Sequence, residues 1–244
     1  MAMAAGGPAV NRSIFSDADV VAVTAVTEVF GRAQKVTGAI VEFAQRVRAA
    51  SVSADSFSVD GRRVLAARVL ADPGADLGAG QEDGRFVTLT LDPADQDAAI
   101  FAPGVNQAAQ MIVTRVGAVT LASGNSVPPA ATGVLNTRVT NRIVDDFLTA
   151  RFTDPVTGLT LDYNLYIPTM AGPAQTYPLV MFLQDAGVTG SNPRRTLQLG
   201  LGAVAFASPE DQARHPAFVL APQFPVPLAN EPGRPRSMSR YCRD

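Results

Sequence analysis

The stretch YPLVMFLQDAGVTGSNP, Tyr177 to Pro193, decides how the C-terminal half of the chain is read. Its opening, YPLVMFLQ, is a nearly continuous apolar run, the pattern of a central strand covered on both faces. The glycine-rich DAGVTG follows, and such a strand-to-loop junction is where α/β enzymes set polar groups against a ligand. A helix is predicted from Pro193 into RRTLQLGLGAVAFAS, with Asn192 as its N-cap. SPEDQARHP (Ser208 to Pro216) supplies a short, acid-started helical turn, and AFVLAPQFP (Ala217 to Pro225) a second buried strand.

Upstream, RIVDDFLTARFTDPVTGLTLDYNLYIP (Arg142 to Pro168) reads as a hairpin. One strand leads to the turn TDPVTG, and the second alternates Leu159, Leu161, Tyr163, Leu165 and Ile167. Hairpin, central strand, loop, helix and strand make an α/β opening. The residues after Pro225 are too few for the strands and crossovers that finish a parallel sheet of this kind.

The half before Asn141 is repeatedly β in character. Val20–Phe30, Gly38–Val47, Arg63–Ala71, Arg85–Leu91 and Met111–Leu121 are rich in β-branched residues and are separated by turn signals such as Asp60-Gly61, Asp72–Gly84 and Asp92–Asp97. Short strands at that spacing suggest an antiparallel sandwich of immunoglobulin type. The serines of ASVSADSFSVDGR (Ala50 to Arg62) fit caps and turns better than nucleophiles. The proline- and glycine-rich SGNSVPPAATG (Ser123 to Gly133) marks a loop near a boundary. The organisation expected is a flexible N-terminus over 1–18, an all-β immunoglobulin-like sandwich over 19–142, the N-terminal part of an α/β domain over 143–225, and an irregular tail over 226–244.

Composition removes several classes of function. Net charge is -2 with a pI near 5.4, so there is no basic field to attract nucleic acid or anionic lipid. No apolar run reaches the roughly 18 to 20 residues of a membrane span, and MAMAAGGPAV lacks the cationic start and apolar core of a signal peptide. The chain reads as soluble, and its compartment stays open. The single cysteine, Cys242, excludes an intrachain disulfide and a cysteine-rich metal cluster, and the single histidine, His215, excludes motifs such as HExxH. No pattern calls for a metal or an organic cofactor.

Three strings in this order, TDPVTGLTLDYNLYIP, YPLVMFLQDAGVTGSNP and LQLGLGAVAFASPEDQARHPAFVLAPQFP, resemble the opening of the α/β-hydrolase domain of poly(3-hydroxybutyrate) depolymerase-like esterases and predicted peptidases. In one branch of that family an immunoglobulin-like domain precedes the hydrolase. The resemblance implies a serine hydrolase with Ser, Asp and His in that chain order, acting on a small or polymeric carboxylic ester. It also implies that the loop after YPLVMFLQ donates a backbone N–H to the oxyanion hole, where it would stabilise charge growing on the carbonyl oxygen. The family usually has His-Gly or His-Asp here; this chain has Gln184-Asp185. By position the donor is Ala186, with Gly187 allowing the sharp turn. No G-x-S-x-G nucleophile elbow occurs in the sequence, so no triad can be assigned and the chain resembles a hydrolase cut off before its catalytic serine.

The local substitutes are His215 as base, Ser191 or Ser208 as hydroxyl, and Asp185 or Asp211 as carboxylate. Glu210 and Asp211 stand at a helix start, where carboxylates meet the positive end of the dipole. Asp145 and Asp146, read as neighbours on a strand, would point to opposite faces and make a poor cation site. GVTGSNP lacks the lysine and spacing of a phosphate loop. The rival reading is a non-catalytic β-sandwich that binds or assembles. In either case an open sheet around VMFLQ and FVLAP would expose apolar faces and favour a homo-oligomer.

Overall fold

The computed structural model describes residues 17–73, 81–169 and 176–226. The expected ends, 1–18 and 226–244, lie outside the described residues except for Asp17, Ala18 and Val226, and so does Cys242. Sixteen strands and three short helices are formed among the described residues. The strands are β1 (Val20–Phe30), β2 (Ala33–Val47), β3 (Phe57–Val59), β4 (Val64–Leu70), β5 (Gly84–Leu91), β6 (Ala99–Ala102), β7 (Val105–Asn106) and β8 (Ile112–Arg115). They continue as β9 (Val119–Thr120), β10 (Ser126–Val127), β11 (Val134–Leu135), β12 (Arg138–Asn141), β13 (Leu148–Thr153), β14 (Thr160–Tyr166), β15 (Leu179–Met181) and β16 (Phe218–Gln223). The helices are α1 (Arg195–Gln198), α2 (Gly202–Phe206) and α3 (Pro209–Gln212). Compactness divides the described chain into two units. One comprises 17–26, 36–73, 81–98 and 108–140; the other comprises 27–35, 99–107, 141–169 and 176–226.

The first unit is all β, built on the order β1-β2-β5-β4, with β11-β8-β3 and the β9–β10 ribbon as further sheets. Its strand patterns explain its core. Along β2, Ala39, Val41 and Phe43 are buried while Ile40 and Glu42 are less so, the period-2 alternation of a strand with one covered face. Phe43 meets Phe57 edge-on, their centroids 6.5 Å apart. Ser53 and Ser56 close a turn of 3-10 helix, the Ser53 N–H donating to the Ser56 hydroxyl at 3.1 Å, so these serines act as caps. The single strand expected over Met111–Leu121 is two strands. The N–H groups of Val116 and Gly117 both donate to the Ser56 carbonyl, at 2.9 and 3.1 Å, where the chain leaves β8 for β9. Arg115 is buried and engages both carboxylate oxygens of Asp17, at 2.8 and 3.1 Å, as well as the Pro128 carbonyl.

The second unit holds a four-stranded sheet in the order β13-β14-β16-β15. The β13–β14 hairpin and the β14–β16 pair are antiparallel, and β15 lies parallel to β16. Helices α1 and α2 cover one face, where Val144, Phe147, Tyr166, Leu197, Val204 and Val219 form the core, and α3 packs against α2. Two expectations are corrected here. The helix from Pro193 is not continuous: Gly200, at φ +98, breaks it into α1 and α2, and α1 is preceded by Arg194 rather than capped by the Asn192 side chain. The run YPLVMFLQ does not form a strand covered on both faces. Its strand, β15, pairs only with β16 among the described residues, and Leu179 and Met181 are 55% and 56% exposed.

The register identifies the open face. Leu148 opposes Leu165, Phe152 opposes Leu161, Leu165 opposes Leu220, and Met181 lies beside Leu220, so these side chains share one side of the sheet. The other side carries Asn164, Tyr166 and Val219 into the core. Asn164 is fully buried and satisfied, donating to the Pro193 carbonyl at 2.7 Å and the Thr196 hydroxyl at 3.1 Å, and accepting from Thr149 at 3.0 Å. An unpaired amide there would cost about 1–3 kcal/mol, so its contacts fix how α1 enters the sheet.

Candidate functional site

The loop that follows β15 is held almost entirely through its polar groups. Phe182 extends the parallel ladder, its N–H donating to the Leu220 carbonyl at 2.8 Å. Gln184, standing where the family usually has a histidine, brackets the backbone of Phe224, the residue that follows β16. Its Oε1 accepts from the Phe224 N–H at 3.3 Å and its Nε2 donates to the Phe224 carbonyl at 3.4 Å. The side-chain amide thus imitates another residue of the ladder. On the far side of the loop, Gly190 N–H donates to the Phe224 carbonyl at 3.1 Å and the buried Gln223 donates to the Val188 carbonyl at 2.7 Å.

Between these anchors Ala186–Val188 form one turn of 3-10 helix. Asp185 caps it, its Oδ1 accepting from the Gly187 N–H at 2.7 Å, the Asx turn that an Asp two residues before the donor favours. Gly187 does not supply a left-handed turn. It instead admits the Asp185 carboxylate, which would lie 3.3 Å from a Cβ at that position. Thr189 donates its hydroxyl to the Ala186 carbonyl at 3.1 Å, and Val188 is buried. The Ala186 N–H, at the exposed start of the turn, meets no acceptor among the described residues.

A cleft of about 320 Å³ opens at this loop. Its wall includes Asp185, Gly187, Arg195 and Leu199, together with Arg32 from the β1–β2 turn and Phe101–Asn106 of the β6–β7 hairpin, all of the second unit. The sequence reading passed over Arg32, Phe101 and Arg195. The signal was present in Pro103-Gly104, a two-residue turn joining β6 to β7, but nothing local to that hairpin connects it to residue 185.

The other sequence candidates do not converge. His215 is 74% exposed at its side chain and its Nδ1 lies 3.1 Å from Asp211 Oδ1, an i,i+4 pair that reaches back from the turn after α3. Ser208 is the N-cap of the same helix, accepting from the Asp211 N–H at 3.2 Å, and Pro209 occupies the first turn. Ser191 is an exposed bend after Gly190. Neither hydroxyl lies within hydrogen-bonding reach of the imidazole. Asp145 and Asp146 are not on a strand but in a turn of 3-10 helix, entered through Ile143 at φ 65, a costly conformation for a β-branched residue. Asp145 accepts from the Asn141 N–H at 2.6 Å and pairs with Arg194. Among the described residues no cluster of three or more potential ligands could hold a metal ion, and no helix is long and apolar enough to cross a membrane.

Residues 22–128 match the family described as the esterase Ig-like N-terminal domain. A solved structure described as a thermostable esterase is similar over 85% of this chain, at 31% identity and a TM-score of 0.76. The chain spans 58% of that protein's length. A search of curated proteins returns no match. The resemblance to an esterase with an immunoglobulin-like N-terminus therefore holds, on a predominantly β architecture.

The Asp145–Asp146 turn gives a pH-dependent expectation. Packed atoms strip hydration from one side of the Asp146 carboxyl, and the Asp145 charge adds to this, raising its pKa above the usual value. A carboxyl with a higher pKa folded than unfolded costs stability as pH rises through the folded value. Asp146→Asn should therefore raise the Tm at neutral pH, and the gain should vanish as pH falls below the unfolded carboxyl value of about 3.9. Thermal melts across pH check both the sign and its disappearance.

Proposed function

We propose that this chain provides the oxyanion loop of an esterase-type serine hydrolase acting on carboxylic esters, short acyl esters or polyesters. The observation that carries this reading is the Ala186 N–H, left without an acceptor while the loop's neighbouring polar groups are engaged by Asp185, Gln184, Gln223 and Phe224. A donor fixed before the reaction stabilises a developing oxyanion without reorganisation at the moment it forms. The parallel β15–β16 pair leading into this loop, and the helices packed on one side of the sheet, support reading the second unit as the opening of an α/β-hydrolase domain. Gln184 is then a brace rather than a reactive group.

No residue here is assigned the nucleophile's role, since the sequence contains no G-x-S-x-G and Ser191, Ser208 and His215 lack the nucleophile-to-base contact that acyl transfer needs. The loop is tested by grafting Gln184–Gly187 in place of the corresponding segment of the thermostable esterase. Turnover of p-nitrophenyl esters should stay within about tenfold of the parent, and Ala186→Pro in the graft should lower kcat about 10²- to 10³-fold. A folded graft whose kcat is indifferent to Ala186→Pro contradicts the assignment.

We further propose that two copies of the chain meet through the open sheet face. Leu148, Phe152, Leu179 and Met181 stand exposed on it, and the paired residues that share that side bring no charge to oppose a second copy. A two-fold dimer uses the same patch on both copies, and an uncharged apolar face places no like charges opposite each other across such an axis. Light scattering should show concentration-dependent dimers that Phe152→Ser with Leu179→Ser disperses; a monodisperse monomer at every concentration contradicts it.

A further inference from the structure

The cleft beside the loop contains two cationic side chains that have no carboxylate partner among the described residues. Arg32 sits at the tip of the β1–β2 hairpin, exposed, with neither a hydrogen bond nor an ion pair among the described residues. Arg195, on α1, lays its guanidinium over the Phe101 ring, 5.5 Å from the centroid, and likewise has no carboxylate partner among the described residues. The only acidic side chain in the wall is Asp185, whose Oδ1 is already held by the Gly187 N–H. Counting formal charges, two guanidinium groups face one carboxylate, which leaves the wall cationic.

Both arginines are held from behind by one buried network. Gln34, two residues beyond Arg32 on β2, is fully buried; its Nε2 donates to the Thr27 hydroxyl at 2.7 Å and the Asn141 Oδ1 at 2.8 Å. Its Oε1 accepts from Gln198 Nε2 at 2.7 Å, and Gln198 lies three residues beyond Arg195 on α1. A buried amide satisfied on both sides is costly to displace, so the hairpin and the helix keep their relative position. The aromatic face beneath Arg195 also orients its planar fork.

We infer that this cleft is a binding site for a carboxylate carried on the ester substrate, with Arg32 and Arg195 as its specificity-determining residues. This rests on the esterase reading for the word substrate, while the anion site itself stands on the cleft's own charges. Guanidinium groups bind carboxylates by charge-assisted, often bidentate hydrogen bonds, and a concave wall with excess positive charge concentrates such ligands. The carboxylate could belong to the acid half of the ester, as in a dicarboxylic monoester, or to the alcohol half, as at the end of a hydroxyacid polyester.

The test is an NMR titration of the full chain with four probes: monomethyl succinate, 3-acetoxypropanoate, and the neutral methyl esters of each. The anionic probes should shift the Arg32 and Arg195 Nε–H signals and the amides of Gly104 to Asn106, and bind roughly tenfold more tightly than their neutral partners. Whichever anionic probe binds more tightly identifies the half of the ester that carries the charge. Arg32→Gln, at an exposed turn where the fold is not at stake, should remove most of the preference, Arg195→Gln should do the same, and added salt should weaken it. Equal affinity for charged and neutral probes, no shift with either anion, or a preference that survives both substitutions overturns the inference. Failure of the esterase reading would appear instead in the loop graft, and would leave these titrations unchanged.

Discussion

The exposed donor at Ala186 depends on the two-sided grip of Gln184 on the N–H and C=O of Phe224. A loop of short side chains leaving a sheet edge has many backbone conformations, and each residue fixed costs about 1–2 kcal/mol in entropy. Single hydrogen bonds contribute about 1 kcal/mol net, too little to order such a segment alone. Their value is positional. By pairing with both backbone groups of Phe224, Gln184 continues the hydrogen bonding three residues beyond the end of β15, and the turn that follows starts from a defined place. Gln223, adjacent to Phe224 on the chain, then holds the far end through the Val188 carbonyl.

The same strand therefore serves both ends of the loop, and its own place is set by the sheet. β16 runs between β14 and β15, with Val219 and Ala221 buried against the helices. Asn164 on β14 fixes the entry of α1, and α1 carries both Arg195, at the cleft, and Gln198, on the buried amide of Gln34. Loop, cleft and helix are thus parts of one hydrogen-bonded arrangement in which amide side chains, rather than charges, do the positioning. Charge is left at the surface of the cleft, where a ligand can meet it.

Much of the first unit was legible because its signals are local. Val20–Phe30 was bounded correctly by β-branched content alone, and β5 nearly so, since alternation and turn residues lie within the strands themselves. The strand over Met111–Leu121 was misread because its interruption is imposed from Ser56, far away in sequence. YPLVMFLQ was misread for a related reason: an apolar run shows that a strand is apolar, not that both its faces find cover. The helix predicted from Pro193 ran through Gly200 because the start signals Asn192 and Pro193 are local, whereas a φ of +98 at Gly200 is a backbone state that the sequence does not specify. In the loop, the turn at Asp185-Ala186-Gly187 was legible from the motif, since an Asp two residues before the donor favours it. The meaning of Gln184 was not, because its partner is the backbone of Phe224, forty residues later and just past the end of β16. Arg32 and Phe101 were hidden for the same cause, being brought to the cleft by hairpins that the sequence presents as parts of another domain.

Site-resolved hydrogen exchange of the backbone amides from Phe182 to Phe224 tests the central claim most directly. Exchange at the Ala186 N–H near the rate of an unstructured peptide, with Phe224, Gly190 and Gly187 protected and Phe224 losing protection in Gln184→Ala, is the expected result. Protection at Ala186, or a Phe224 amide that exchanges equally in the parent and in Gln184→Ala, would contradict it.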